Sequence, residues 1–292
     1  MAIGIIFGLI SAFIWATTSL AIKAQADHIN PLSFNAFRML VGALFALALL
    51  PFFGGVQAIS QVPSEAVILL ATSSIIGGAL GDMLYFWSLN HIGASRALPI
   101  SGMYPLFTWA IAVPLLGEQI TVGALVGTAL VLLGVYLLSP GNGTVVRQDA
   151  RTLRMATFAA IAAAVLWAVA TTMLKVGLQE SPHVIIANAI RLPGAALACA
   201  LVATWQGGSA MWNGYNRRIL PRLIALAIYS TGIGMIVWTL TVDFAGAARA
   251  ALLNTAAPLI GVPLAVLFLH ERVTRQVAVG TLLAVCGVWM IL

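Results

Sequence analysis

Three charged residues lie inside long apolar runs of the sequence, where their types and depths point to specific chemistry. At about 1.5 Å per helical residue, Arg38 lies roughly 9 Å and Asp82 roughly 10 Å from the same membrane face. Charges at such depth are costly and mark ion pairs, proton sites or substrate pathways. The equal depth predicts an Arg38–Asp82 ion pair, although Asp82 could instead bind a coupling proton or a substrate ammonium group. Arg191 is the third charge of this kind.

Aromatic and small polar residues recur on helix faces that could line a cavity. Ser101, Pro105 and Thr108 follow i, i+4, i+7 spacing and share one face. A proline in mid-helix removes a hydrogen bond and kinks the helix, so we predict kinks at Pro105 and Pro258. Aromatic walls would suit flat or apolar substrate groups. We predict a substrate cavity lined by Trp15, Trp167, Asp82, Tyr85, Trp238, Ser101, Tyr104 and Asn254.

Small residues can also serve helix packing alone. Gly127 and Gly134, and again Gly280 and Gly287, stand two helical turns apart on one face. We predict close packing between the fifth and tenth apolar runs at these faces. By the same reasoning, the small residues near Ser101 could serve helix packing alone. Any one of the aromatic rings could simply face the protein core or the lipid.

The sequence lacks the residue patterns of catalysis and of cofactor binding. The apolar runs contain no Ser/His pair, no two deep aspartates and no phosphate-binding loop. Cys199 and Cys286 show neither CxxC nor Cys/His spacing, which predicts neither a disulfide nor a metal site. We therefore expect a protein that is not an enzyme and that uses no cofactor, no metal and no ATP directly.

The composition requires a membrane around these residues. The chain has 292 residues, of which 61% are hydrophobic and 8% are charged, whereas soluble domains carry about 25% charged residues. This excludes a water-soluble enzyme, a nucleic-acid-binding protein and a disordered chain. The apolar runs are continuous and about 20 residues long, which predicts helices rather than barrel strands. The predicted spans are 3–23, 32–53, 65–89, 94–116, 121–139, 154–177, 183–206, 220–243, 247–269 and 275–292.

The chain consists of two copies of one unit. At an offset of 153 residues, Asn35 and Arg38 align with Asn188 and Arg191, and further matches follow in order to the end of the chain. The predicted segments are a first five-helix repeat over 1–139, a polar linker over 140–153 and a second five-helix repeat over 154–292. Since five is an odd number, the second repeat would enter the membrane from the opposite side. Inverted repeats of this kind are the architecture of secondary transporters, whose substrate site lies between the repeats.

The duplication is incomplete at the candidate ion pair. The position that aligns with Asp82 holds Met235, so Arg191 lacks the acidic partner predicted for Arg38. Arg191 could therefore bond helix-end carbonyl groups, or it could bind a substrate carboxylate, whose geometry the guanidinium matches.

Both halves carry the same order of motifs around their fourth and fifth spans. A span with a central proline is followed by Gly-Glu-Gln-Ile-Thr at 117–121 or His-Glu-Arg-Val-Thr at 270–274, and then by a span with a Gly-x6-Gly pattern. This order resembles the EamA-type permeases of the drug/metabolite transporter superfamily, and is most similar to their aromatic amino-acid exporter branch. The resemblance implies a ten-helix carrier for small metabolites, commonly an exporter of amino acids, in which Trp167 and Tyr104 have functional roles.

These observations predict an all-α integral membrane protein with ten transmembrane helices as two inverted five-helix repeats. We expect it to export small metabolites, namely aromatic or apolar amino acids, by alternating access through a cavity between the repeats. The alternatives are an efflux carrier for drugs, nucleosides or sugars, and a passive channel. The expected partners are a small-molecule substrate and the lipid bilayer, without nucleic acid, while proton coupling and oligomeric state stay open.

The expected location is the bacterial inner membrane, but two arguments disagree on orientation. Most Lys and Arg residues lie in the odd-numbered connections, which the positive-inside rule places in the cytoplasm, with both termini outside. The family resemblance implies cytoplasmic termini instead.

Overall fold

The structure of the chain is a computed structural model. All regular secondary structure within the residues that it describes is helical, in agreement with the all-α fold predicted from the apolar runs. The described residues are 2–23, 29–92, 97, 100–118, 121–138, 149–181, 183–208, 212–257, 260 and 275–291.

Helices α1 to α7 belong to the first half of the chain. A 3-10 segment, Leu50–Phe53, extends α2, and a π-helical segment that we call π1, Ile75–Gly81, joins α4 to α5 without a break. The bounds are α1 Ala2–Lys23, α2 Pro31–Leu49, α3 Gly55–Ser60, α4 Ser64–Ser74, α5 Asp82–Ile92, α6 Tyr104–Leu116 and α7 Val122–Leu138.

Helices α8 to α13 belong to the second half. Here a second π-helical segment, π2, covers Ile228–Ile233 and joins α10 to α11. The bounds are α8 Ala150–Gln179, α9 Val184–Gly207, α10 Leu220–Ala227, α11 Gly234–Ala245, α12 Ala247–Asn254 and α13 Arg275–Ile291.

Several helical stretches have the length and composition needed to cross a membrane. The five that qualify among the described residues are Leu32–Phe53, Ser64–Ser88, Ala150–Gln179, Val184–Gln206 and Leu220–Ala245. Shorter apolar helices cover Ala2–Thr18, Tyr104–Leu116 and Val122–Gly134. The predicted spans 94–116 and 247–269 fall partly outside the described residues, so the count of ten spans stays a prediction.

The two halves share irregular backbone features at matching positions. π1 begins at Ile75 and π2 at Ile228, which are separated by the same offset of 153 residues that aligns the repeats. A turn at residues 102–103 also matches a turn at residues 255–256. The local side chains differ between the halves, so these features belong to the duplicated backbone.

The turn at residues 102–103 changes the interpretation of the first central proline. Pro105 lies in the first turn of α6, where its missing N–H leaves no helical bond unmade. The predicted kink at Pro105 is therefore a break directly before α6, while another proline, Pro114, lies inside that helix. Pro258 lies outside the described residues.

Helices of one half pack mainly on helices of the other half. The repeat equivalents α2 and α9 pack on each other, and so do α7 and α13. α1 packs on α11 as α8 packs on α5. These contacts map onto one another when the two halves are exchanged.

Small residues bring the paired helices close together. In the α2–α9 contact, the buried alanines Ala36, Ala43 and Ala195 form part of one core cluster. In the α7–α13 contact, a Cβ atom added at Gly287 would overlap the carbonyl oxygen of Gly127. The close packing predicted between the fifth and tenth runs is confirmed at this glycine pair.

Candidate functional site

The predicted ion pair lies between α2 and α5. Arg38 Nη2 donates to Asp82 Oδ2 at 3.0 Å, and the two side chains are only 5% and 10% exposed. Arg38 Nε donates to Asn35 Oδ1 at 2.8 Å, one helical turn earlier on α2. The short polar side chain of Asn35 thus fixes the rotamer of the arginine and aims its terminal nitrogen at the carboxylate.

A backbone carbonyl of π1 completes the network behind Arg38. Asn35 Nδ2 donates to the carbonyl oxygen of Gly78 at 3.1 Å and lies 3.5 Å from Cys199 Sγ. The Cys199 thiol also lies 3.6 Å from the Gly78 carbonyl oxygen. A π-helical turn alters the usual direction and pairing of carbonyl groups, and here one of them accepts hydrogen bonds from α2 and α9.

The second oxygen of Asp82 is held by α8. Trp167 Nε1 donates to Asp82 Oδ1 at 3.0 Å. The indole can reach this position because residue 81 is glycine: a Cβ atom there would lie 2.8 Å from Trp167 Cδ1 and Nε1. Asp82 is therefore fixed by side chains from both halves of the chain, Arg38 on one side and Trp167 on the other.

Aromatic rings surround the ion pair. The Trp15 ring lies over the guanidinium, with Arg38 Cζ 5.6 Å from the ring centroid, in a cation–π contact. Trp167 contacts Tyr85 at a centroid distance of 5.3 Å and Tyr104 edge-to-face at 6.0 Å. Trp15 and Trp167, which align in the repeats at an offset of 152 residues before the first loop, thus bracket the pair from opposite helices.

The other predicted cavity residues divide into two groups. Tyr104 donates from its hydroxyl to the carbonyl oxygen of Ala251 at 3.0 Å, and Asn254 lies beside that hydroxyl. Ser101 bonds the carbonyl of Ala97 within its own turn. Trp238 lies apart, because its ring packs against an apolar cluster that includes Leu70, Leu174 and Val242.

Arg191 on α9 has a different set of partners. Its Nε donates to Ser73 Oγ at 3.1 Å, and its Nη1 donates to Thr239 Oγ1 at 3.3 Å and to Asn188 Oδ1 at 3.5 Å. Its own carbonyl accepts a hydrogen bond from Ser74. The expectation that Arg191 bonds helix-end carbonyl groups is therefore wrong, because among the described residues its guanidinium donates to side-chain oxygens.

Sequence reasoning missed Ser73 and Thr239 as partners of Arg191, since neither has a polar equivalent in the other half. It could have found the asparagines, because Asn35 and Asn188 each precede an arginine by three residues. On a helix this spacing places the two side chains on one face.

A carboxylate from the first half caps a helix of the second half. Glu118 Oε1 accepts from the Ala247 amide at 2.7 Å, and Glu118 Oε2 accepts from the Ala248 amide at 2.9 Å. Gly246, with φ of 87°, starts α12 in a backbone conformation that favours glycine. The negative charge also suits the positive end of the helix dipole.

Comparison with known proteins connects this architecture to a family. The EamA-like transporter family matches the chain twice, over residues 2–139 and 154–292. The chain belongs to the EamA-like transporter family. It is accordingly a multi-pass membrane protein of the drug/metabolite transporter superfamily, and the two matches coincide with the two predicted repeats.

Two uncharacterized transporters and one solved structure resemble the chain over nearly its whole length. An uncharacterized transporter of Archaeoglobus fulgidus is 22% identical over 99% of this chain and 97% of its own length. The uncharacterized transporter YoaV of Bacillus subtilis is 23% identical, with coverages of 98% and 96%. A crystal structure with 20% identity superposes with a TM-score of 0.80 over 98% of this chain and 95% of that one, which supports the fold.

One relative carries a substrate in its name. The S-adenosylmethionine/S-adenosylhomocysteine transporter of Chlamydia muridarum is 28% identical over 73% of this chain and 65% of its own length.

The structure offers no cluster of metal-binding side chains within the residues it describes. The polar groups of this EamA-like transporter are instead an ion pair, a second arginine and several hydroxyls.

Proposed function

We propose that this transporter is a secondary carrier that exports amino acids with aromatic or apolar side chains by alternating access between two inverted repeats. The observation that carries the proposal is the Arg38–Asp82 pair held between Trp15 and Trp167 at the junction of the two halves. A zwitterion brings one charge of each sign, so it can exchange partners with a buried ion pair without leaving a charge unmatched.

The aromatic rings support a flat or apolar substrate group. Trp15, Tyr85 and Trp167 are each only half-buried, although they contact the ion pair or one another. Ring faces and edges of this kind bind other aromatic groups by offset or edge-to-face contacts. A substrate whose charged head meets Asp82 or Arg38 would therefore place its side chain among these rings.

The pattern of helix contacts supports two repeats related by a two-fold axis. Contacts such as α1–α11 and α8–α5 map onto each other when the halves are exchanged, and π1 and π2 stand at matching positions. With an odd number of spans in each half, such an axis lies in the membrane plane, which is the symmetry that alternating access uses.

Unpaired hydroxyls on α1 and on π2 support movement of these helices. The side-chain oxygens of Ser11, Thr18, Ser230 and Thr231 are sealed from solvent without a hydrogen-bond partner in the described part of the chain. An unsatisfied buried hydroxyl costs about 1–3 kcal/mol. Water or substrate would satisfy these groups when the helices separate.

The named relative favours one alternative substrate. S-adenosylmethionine combines an amino-acid head with a flat purine ring, so the same ion pair and aromatic walls would suit it. A carrier of such nucleoside–amino-acid conjugates is therefore the second candidate, supported by the 28% identity to the Chlamydia muridarum transporter.

Transport from liposomes tests both candidates. Purified protein is reconstituted in liposomes that contain radiolabelled phenylalanine, tryptophan, alanine or S-adenosylmethionine, and label efflux is measured with and without a pH gradient. We expect the aromatic amino acids to leave faster than they leave liposomes that contain the same label but no protein. Selective loss of S-adenosylmethionine would favour the second candidate, and a pH effect abolished in Asp82→Asn would assign proton coupling to that carboxyl.

Variants connect transport to the proposed site. Trp167→Phe keeps an aromatic ring but removes the N–H donor to Asp82, and we expect at least tenfold slower efflux. Trp205→Phe is the matched control, because the Trp205 side chain is 87% exposed. Unchanged efflux in both Trp167→Phe and Tyr104→Ala would show that the substrate passes elsewhere.

A further inference from the structure

We propose that Arg191, with Ser73, Asn188 and Thr239, forms a second substrate site that binds a carboxylate. The proposal rests on the transporter function proposed above, because the anion is the carboxylate of the transported substrate. The proposed site lies apart from the Arg38–Asp82 pair, and it binds the substrate through a single arginine rather than through an ion pair.

The guanidinium of Arg191 is buried and incompletely bonded. The residue is 4% exposed and carries its charge at every physiological pH. Nε and Nη1 donate to three neutral oxygens, whereas Nη2, which offers two N–H groups, has no hydrogen-bond partner among the described residues. Nη2 is also not one of the polar atoms that are sealed from solvent without a partner. The two free donors are therefore not completely sealed from solvent.

The charge of Arg191 has no carboxylate partner in the part of the chain that the structure describes. In the first half, the equivalent terminal nitrogen of Arg38 is paired with Asp82 at 3.0 Å. In the second half, the residue equivalent to Asp82 is Met235, whose carbonyl accepts from Thr239, a partner of Arg191. The second repeat thus keeps the arginine but lacks the aspartate that would neutralise it.

A bound anion would supply the negative charge that the described residues lack beside Arg191. An isolated buried charge is strongly unfavourable, and neutral hydroxyls offset it only in part. A carboxylate oxygen can accept a charge-assisted hydrogen bond from the free N–H groups of Nη2. The hydroxyls of Ser73 and Thr239 and the amide of Asn188 already hold the guanidinium in one orientation, so the site is organised before the anion arrives.

The two arginine sites are too far apart to hold one amino-acid head together. Ser73, which accepts a hydrogen bond from Arg191, precedes Asp82 by nine residues on one continuous helix. This is about two helical turns, on the order of 10 Å along the axis. Two inverted repeats would place Arg38 and Arg191 at similar depths from opposite membrane faces. The carboxylate would therefore meet Arg191 at a different stage of transport from the stage at which the substrate meets Asp82.

The structure provides a sharp test in Met235→Asp. This variant places a carboxylate at the position equivalent to Asp82, where it would pair with Arg191 and exclude an external anion. Met235→Asn is the matched control, since it is equally polar and of the same size but has no charge. Arg191→Gln removes the guanidinium itself.

The probes are phenylacetate and phenethylamine, which share a ring and differ in their charged group. Binding is measured by thermal unfolding of the full-length protein in detergent over a range of probe concentrations. We expect phenylacetate, but not phenethylamine, to raise the melting temperature of the natural protein and of Met235→Asn by several degrees. The apparent affinity for phenylacetate should fall at least tenfold in Met235→Asp and Arg191→Gln.

The outcomes separate this site from the proposed function. Equal stabilisation of Met235→Asp and Met235→Asn by phenylacetate would overturn the carboxylate site, as would no stabilisation of the natural protein. If Arg191→Gln does not fold, Met235→Asp still decides, because its added ion pair should raise stability in the absence of probe. Binding of phenylacetate without efflux of any amino acid would reject the proposed function and leave the anion site intact.

Discussion

Arg38 and Arg191 occupy equivalent positions in the two halves but have different surroundings. Each accompanies an asparagine three residues earlier, with Nε of Arg38 donating to Asn35 at 2.8 Å and Nη1 of Arg191 lying 3.5 Å from Asn188. Only the first arginine meets a carboxylate among the described residues. The duplication thus repeats the asparagine and the arginine in both halves, whereas the aspartate that neutralises the arginine is present only in the first half.

The difference shows that backbone and chemistry can be separated within a repeat. π segments, turns and helix contacts recur at the same offset. By contrast, Ser73 and Thr239, which serve Arg191, are equivalent to Leu226 and Phe86. In the first site the charge of the arginine is neutralised by Asp82, whereas the second arginine has only neutral partners among the described residues.

The strongest way to break the comparison is to remove the first arginine. Arg38→Gln would leave the Asp82 carboxylate buried without its cation, and we expect a loss of about 3–5 kcal/mol in stability. Unfolding in detergent, followed by tryptophan fluorescence, measures this loss. Arg217→Gln, at an exposed arginine, is the control and should change little.

A double variant tests the cause of that loss. Arg38→Gln combined with Asp82→Asn removes both charges, and it should be more stable than Arg38→Gln alone. If the double variant is the less stable protein, the ion pair does not account for the effect.

Two equivalent glycines, Gly81 at the end of π1 and Gly234 directly after π2, sharpen the comparison. A Cβ atom at Gly81 would lie 2.8 Å from the Trp167 indole, whereas one at Gly234 would lie 3.0 Å from a methyl group of Ile14. Gly81→Ala should therefore displace the indole from Asp82 and cost about 1–3 kcal/mol, with slower efflux. Gly234→Ala should cost less, because an aliphatic side chain can move. Equal losses in the same unfolding assay would contradict this reading of the first site.

The hydrogen bonds that Glu118 accepts at the start of α12 connect the two halves and should contribute less to the free energy of unfolding. Glu118→Gln removes the negative charge at the start of α12 and one of the two acceptors, and we expect a loss of about 0.5–2 kcal/mol. Hydrogen exchange of the Ala247 and Ala248 amides should accelerate. Glu65→Gln, at an exposed glutamate in the first turn of α4, provides the control.

The smallest effect concerns the caps of α2 and α8. Asp149 accepts from the Thr152 amide at 3.2 Å, and the hydrogen bonds from Thr152 hold the pKa of the Asp149 carboxyl below its usual value of 3.8. Its stabilisation of α8 is therefore complete above the unfolded-state pKa and is lost as pH falls through the lower folded-state pKa. Asn30, which caps α2, does not titrate.

Acid titration distinguishes the two caps. Below the usual pKa of Asp149, the first turn of α8 should lose protection against hydrogen exchange, while the first turn of α2 keeps it. Asp149→Asn replaces the titrating cap by a neutral one and should abolish the acid-dependent part. The same acid response in both helices would rule out the cap as its origin.

The sequence could predict the helices and the internal repeat because the relevant signals are local or periodic. Apolar runs give the helices, and the offset of 153 residues gives the repeat. The depth of Arg38 and Asp82 was enough to predict their pairing, since both count from run ends on consecutive helices.

The rest depends on contacts between distant parts of the chain. Trp167 and Asp82 are 85 residues apart, and their hydrogen bond requires Gly81 to leave room for the indole. Residues 75–81 are as apolar as an ordinary span, so no pattern distinguishes π1 from α-helix. Repeat symmetry was also a poor guide to Trp238, because the second half lacks the aspartate around which the first-half rings gather.

The position of the π segments has a consequence for how a charge can move inside a lipid bilayer. π1 ends directly before Asp82, and one π-helical turn holds about one residue more than an α-helical turn. Conversion of π1 to α-helix would rotate α5 by about 100° and shift it by about 1.5 Å relative to α4. Such a conversion would make the segment a torsional joint: Ser73 and Ser74 would stay beside Arg191 while the carboxylate turned about the helix axis. Such a joint keeps the backbone hydrogen-bonded throughout, so the charge can be re-aimed without exposing peptide groups to hydrocarbon.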